Sequence, residues 1–289
     1  MKVYFVGAGP GAADLITLRG AKLLGQVKMV LYAGSLVPLE MLQHCDPAAE
    51  LIDTAKLDLE QQQACYQRAQ AADCDVVRLH SGDPAIYGAT AEQMRRLDAL
   101  GIAYEVVPGV SSFTAAAAAV QAELTKPEVS QSIILTRVSG RASAVPKLES
   151  IAELAQHRAT MCIFLSGPHL KKIVTDLRLH YPDETPVTLV YRASWPEQKT
   201  YQGTLATVLA ETKRGAWNLT TMMLVGAALD RNQQAESSLY SKDFTHLFRV
   251  VKKRGAKSKK SKAEFEAELS ESDAEQQHRA AQASEKETL

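Results

Sequence analysis

No CxxC pair occurs among the four cysteines, Cys45, Cys65, Cys74 and Cys162, so neither a zinc knuckle nor a thioredoxin-type redox centre is encoded. Scattered thiols of this kind suit a reducing compartment. A surplus of one charge is also missing. The 33 Lys and Arg balance 33 Asp and Glu, which argues against a chain whose main task is wrapping a polyanion. No segment approaches the ~20 unbroken apolar residues that a membrane helix needs, and the Ala115–Val120 run is far too short. The opening Met1–Gly7 is too brief for a secretory h-region, so the expectation is a cytoplasmic protein with no membrane partner. H-E-x-x-H, a Ser-His-Asp pattern and metal-ligand clusters are absent as motifs, and no metal is expected. What remains is 46% hydrophobic and 23% charged over 289 residues. That is a globular composition, long enough for roughly two domains.

Short apolar, β-branched runs alternate with amphipathic stretches. Lys2–Val6, Met29–Tyr32, Asp75–His80 and Tyr104–Pro108 read as strands, with helices at Asp14–Leu24, Leu57–Ala72 and Thr90–Leu100 between them. That rhythm is expected of a mostly parallel α/β sheet. It repeats in strands Ile133–Thr136, Thr160–Leu165, Val187–Tyr191 and Thr221–Val225, with helices at Glu149–His157, Leu170–Leu179 and Leu205–Arg214. Pro127, in the Leu124–Ser130 stretch, marks a boundary. The expected organisation is an α/β domain at 1–124, a second at 125–250, and a charged tail at 251–289. A lysine-rich run followed by an acidic block, with only Phe265 and Leu269 as large apolar residues in that block, predicts a solvated, disordered tail. Nucleic acid is not the expected partner, because the acidic block can neutralise the basic run.

Gly7-Ala8-Gly9-Pro10-Gly11-Ala12 after the first strand fits a relaxed G-x-G-x-x-G/A pattern. The dinucleotide reading also wants a carboxylate closing the second strand, whereas Tyr32-Ala33-Gly34-Ser35 stands there and no acid follows until Glu40. Pro10 further removes an N–H that a pyrophosphate would use. A tight strand-to-helix turn therefore stays open as the plain explanation. Three more loops follow strands, at His80–Gly88, Val107–Ser112 and Leu165–Pro168. Their Gly-Asp-Pro and Pro-Gly sequences are common turn chemistry, yet all fall where open α/β sheets bind ligands.

Together GAGPG at Gly7–Gly11, DLITLRG at Asp14–Gly20, SGDPAIYG at Ser81–Gly88 and VVPGVSS at Val106–Ser112 resemble the tetrapyrrole methylase family. ILTR at Ile134–Arg137 and the Tyr191–Pro196 segment extend the likeness to about residue 250, and YAGSLV at Tyr32–Val37 is similar to the branch acting at C11 of precorrin-4 or cobalt-precorrin-4. The resemblance implies two αβα domains forming a cleft, a homodimer, and S-adenosyl-L-methionine as methyl donor in that cleft. By alignment of motifs, Pro10, Ser81, Gly82, Asp83, Ile86, Ser111, Ser112, Leu165 and Ala193 would line the donor site. The family often has glycine at Ser81 and Thr-Ala at Ser111-Ser112, so these departures preserve small size.

A corrinoid precursor is a wide apolar macrocycle fringed with carboxylates, so its site needs an apolar floor and a cationic rim. Arg137, Arg141, Lys171 and Arg192 are the rim candidates, while Tyr87 and Tyr191 could add floor. Long cations also cover ordinary surface. His44 and His80 read as structural, and no catalytic base can be named. The rivals are another methylase of this family, acting at a different corrin position or on uroporphyrinogen, RNA or protein, and a ligand-sensing module whose basic tail docks on nucleic acid.

Overall fold

The structure, a computed structural model, describes residues 1–139, 144–212, 216–232, 237, 241–242, 244–245 and 249. Arg141 and the expected tail at 251–289 lie outside the described residues. Residues Met1–Ala235 form one compact unit.

The first sheet has the order β3-β2-β4-β1-β5, from β1 (Lys2–Gly7), β2 (Met29–Tyr32), β3 (Glu50–Asp53), β4 (Val76–His80) and β5 (Ala103–Val107). Every pairing in it is parallel. Its helices are α1 (Leu18–Leu24), α2 (Leu59–Ala71) and α3 (Thr90–Ala99). Strands buried on both faces need apolar residues at successive positions. Accordingly Val6, Val30, Val77 and Leu79 pack toward Leu24 on one face, while Val3, Phe5, Leu31 and Val76 meet Tyr66 and Leu97 on the other. The chain leaves β1 for β2 on one side and β4 for β5 on the other. The β1/β4 junction is therefore a switch point, where open α/β sheets offer a crevice.

The second sheet runs β6-β7-β10-β8-β9, from β6 (Ile133–Arg137), β7 (Thr160–Phe164), β8 (Pro186–Tyr191), β9 (Lys199–Thr204) and β10 (Thr221–Val225). Only β6 and β7 pair in parallel; β7–β10, β10–β8 and β8–β9 are antiparallel. A mostly parallel second half is thus corrected. The loop from Tyr191 to Lys199 is too short for a crossover, which takes about a dozen residues or more, so β8 and β9 must form a hairpin. Strand β9 was missed because Lys-Thr-Tyr-Gln-Gly-Thr is a polar edge sequence with no buried residue. The expected helix from Asp14 also starts later: Ile16 is extended, and the Thr17 side chain accepts from Gly20 N to cap α1.

Helix α4 (Ser112–Ala119) comes after β5 yet packs on the second sheet. Ala115, Ala116 and Ala117 lie against Cys162, Val190, Met222 and Leu224. Alanines let the helix approach closely, and this fixes its N-terminus beside both sheets. The opposite face of the second sheet is filled by α5 (Ile151–Ala155) and α6 (Leu170–Leu177), through Ile151, Ile173 and Leu177 against Met161, Ile163 and Met223. Helix α7 (Val208–Glu211) is shorter than expected. Among the described residues no helix is long and apolar enough to cross a membrane.

Candidate active site

The loops at the carboxyl ends of β1, β4 and β5 are stitched together by backbone. Gly9 and Gly82 exchange a pair of hydrogen bonds, 3.2 Å from Gly9 N and 2.8 Å from Gly82 N, and Ala8 N donates to His80 O at 2.7 Å. Asp83 then ties the third loop. One carboxylate oxygen accepts from Ala85 N at 2.7 Å, closing its own turn, and the other from Gly109 N at 2.9 Å.

These loops make one wall of a cavity and the second sheet makes the other. Pro10 enters it after β1, and Ser81, Gly82, Asp83 and Ile86 after β4. Ser111 and Ser112 come at the start of α4, Leu165 after β7, and Ala193 after β8. Every residue expected at the donor site therefore borders a single space. Gly82 stands at φ +67, which suits glycine, and a Cβ built there would lie 3.8 Å from Ser111 Cα and Ser112 N. Keeping that position bare preserves room between the β4 loop and α4, whose first-turn N–H groups have no intrahelical acceptor.

Backbone strain gathers around the same space. Tyr87, Leu165 and Arg192 line it with φ of +54, +55 and +48, a region bulky side chains rarely occupy. Tyr87 packs edge-on to Phe164, 5.1 Å between ring centroids, and the Arg137 guanidinium stands 5.8 Å from its ring centre.

Tetrapyrrole (corrin/porphyrin) methylases match residues 2–209. The chain belongs to the tetrapyrrole methylase family. This methylase is 47% identical over 249 residues to a precorrin-4 C(11)-methyltransferase of Pseudomonas aeruginosa, covering 86% of this chain and 99% of that protein. Its fold resembles a cobalamin biosynthetic enzyme, cobalt precorrin-4 methyltransferase, at TM-score 0.76 and 42% identity, over 79% of this chain and 96% of the other. It also resembles the uroporphyrin-III C-methyltransferase of Thermus thermophilus complexed with S-adenosylhomocysteine, at TM-score 0.67 and 26% identity, over 79% and 98%.

The rim candidates divide. Arg192 and Tyr87 line the methylase cavity. Arg137 lines an adjoining groove that Tyr87 shares. Tyr191 lies just outside, its ring under Arg192 at 5.5 Å and Lys199 at 4.7 Å. Lys171 is exposed on α6 in a groove sharing no residue with the cavity. Sequence reasoning did not single out Leu36, Phe164, Val190, Trp195 or the Leu219–Met222 segment, all of which line it. Leu36 and Trp195 do fall in motifs already noted, YAGSLV and Tyr191–Pro196.

Asp83→Ala is expected to raise the dissociation constant for S-adenosylhomocysteine about tenfold or more. It removes two bonds to an ionised acceptor, worth about 1.5–3 kcal/mol each at full strength, from loops that must hold register together. Calorimetric titration checks this, and unchanged affinity would leave Asp83 as a turn former alone.

Proposed function

We propose that this methylase transfers a methyl group from S-adenosyl-L-methionine to C11 of precorrin-4 or cobalt-precorrin-4 in cobalamin biosynthesis. The observation that carries the reading is the single cavity bordered by every expected donor-site residue, in a chain 47% identical to a precorrin-4 C(11)-methyltransferase. When bound, the donor supplies a methyl group on a sulfonium whose leaving group is already activated. Alignment then carries most of the acceleration.

The residues divide that task. Gly82, Ser111, Ser112 and Ala193 offer a cradle of small side chains, and Asp83 holds the β4 and β5 loops in register. Leu36, Tyr87, Leu165 and Leu219 are apolar, exposed and on the cavity lip, which suits one face of a flat macrocycle and helps exclude water. Arg192 in the cavity and Arg137 beside it are placed to pair with peripheral carboxylates. Their positions favour them over Lys171.

Four free thiols fit a cytoplasmic enzyme. The family resemblance favours a homodimer, which light scattering on the eluting protein tests. The deciding experiment incubates the protein with labelled donor and a panel of tetrapyrrole intermediates, then locates the label by mass spectrometry and NMR. One methyl added at C11 is expected. Methylation at another ring position, on uroporphyrinogen, RNA or protein would reject the substrate. Salt-dependent nucleic-acid binding with no transfer to any acceptor would reject the enzyme.

A further inference from the structure

The loop after β8 does more than line the cavity. It reaches across to the glycine loop after β1: Trp195 Nε1 donates to Pro10 O at 2.9 Å, and Ser194 Oγ accepts from Ala12 N at 3.0 Å. Pro10 has no N–H, so its carbonyl is the one backbone group it can offer, and Trp195 takes it. The loop reaches this position with Arg192 at φ +48 and Ser194 at φ +68, a conformation that residues with side chains rarely adopt. Room for the indole comes from Gly11, where a Cβ would stand 2.1 Å from Trp195 Cδ1. The Arg192 guanidinium lies 4.8 Å from the indole centre, and Glu197 holds it from the side at 3.4 Å. Pro10, Arg192 and Trp195 all border the same cavity.

We infer that Trp195 is a positioning residue for methyl transfer, its indole N–H setting the Pro10 wall of the donor cavity and its ring setting Arg192 for a substrate carboxylate. This rests on the proposed reading of the cavity. Trp195 acts through those neighbours and need not touch the reacting carbon. Its two parts have separable effects: the N–H serves the donor, and the ring face serves the macrocycle.

Trp195→Phe keeps a ring under Arg192 and removes the N–H. It should raise the S-adenosylhomocysteine dissociation constant about three- to tenfold, the worth of one hydrogen bond, with macrocycle KM changed by less than about twofold. Trp195→Leu removes both features and should raise both constants. A purely structural role would instead lower the melting temperature and move both constants together in either variant. Emission provides a second readout, since the chain has two tryptophans. Trp217 is buried in the core of the second sheet, so the wild-type spectrum minus that of Trp195→Phe isolates Trp195. Saturating S-adenosylhomocysteine should shift or quench that difference signal. The inference is overturned if calorimetry shows wild-type binding while Trp195→Phe binds equally well and the Trp195 emission ignores the ligand. Failure of the wild-type protein to bind S-adenosylhomocysteine would overturn the donor reading, and this inference with it.

Discussion

Gly109→Ala is expected to lose S-adenosylhomocysteine binding and to melt at least several degrees below the wild-type protein. A Cβ at this position would stand 2.2 Å from Gly82 O and 2.7 Å from Gly7 Cα. Those neighbours are backbone atoms at the carboxyl ends of β4 and β1, so no side-chain rotation can relieve the clash. Overpacking a core ordinarily costs about 1–3 kcal/mol, and backbone on both sides puts this case at the upper end. At ~2–4 °C per kcal/mol for a chain of this size, the melting temperature should fall by about 6–12 °C. Binding should suffer more than stability, because the atoms that must move are those whose spacing makes the cavity. Gly101→Ala is the matched control. Gly101 has φ +65 but nothing within 4 Å of a built Cβ, so it carries strain without a clash, at the end of α3. Its variant should lose about 1–2 kcal/mol of stability and bind the ligand normally. Scanning calorimetry and titration on both variants test the contrast. Normal binding by Gly109→Ala would mean that the Gly7–Gly82–Gly109 contact does not shape the site.

In the first sheet β1, β2 and β4 were legible because they are largely apolar and buried and amphipathic helices lie between them, whereas the edge strand β3, Glu-Leu-Ile-Asp with no buried residue, carried no such signal. The loops at the carboxyl ends of this sheet followed from the same logic, but turn chemistry explained them equally well, and it was the family resemblance that implied a donor site at Pro10, Ser81, Gly82, Asp83, Ile86, Ser111 and Ser112. The second sheet resisted because parallel and antiparallel buried strands read alike. The rule that ligands meet carboxyl strand ends then failed for β10. Running antiparallel, it sets Thr221 opposite Tyr191, the last residue of β8, so the start of β10 faces the cavity. Leu219, Thr220, Thr221 and Met222 carried no signal for this reason. The placement of α4 was hidden similarly. An alanine run announces a helix that can pack closely, but not which sheet it packs on. Trp195 lay inside a recognised segment, and only the positive φ of Arg192 and Ser194 turns it back toward Pro10.

Stability should fall steeply as pH drops below about 6.5, through a residue outside the cavity lining. His80 ends β4 with 5% of its surface exposed, and its Nε2 has no hydrogen-bond partner among the described residues. Burial, with a smaller contribution from the nearby Arg78 cation, pushes its pKa down to about 3. Arg78 is itself buried, bonded to Gln93 Oε1 at 3.2 Å and Leu79 O at 3.1 Å, while Tyr66 OH also donates to Gln93 at 3.1 Å. Nothing in this network offers His80 a negative charge that would favour protonation. The unfolded chain binds a proton at His80 from about pH 6.5 downward, whereas the native chain refuses it until about pH 3. The contribution of the neutral ring is therefore whole above about pH 6.5 and is lost as pH falls toward the folded value. At ~1.4 kcal/mol per unit, about 2 kcal/mol should be gone by about pH 5 and about 4–5 kcal/mol near pH 3. Carboxylates titrate in part of this window, so the comparison that isolates His80 is urea unfolding of the wild type and His80→Leu from about pH 7.5 to about pH 4. The variant's stability should decline less steeply even if it starts lower. Parallel curves, or a His80 ring resonance titrating near the unperturbed ~6.5, would show that the native state accepts the proton and that keeping His80 neutral beside Arg78 does not limit acid stability.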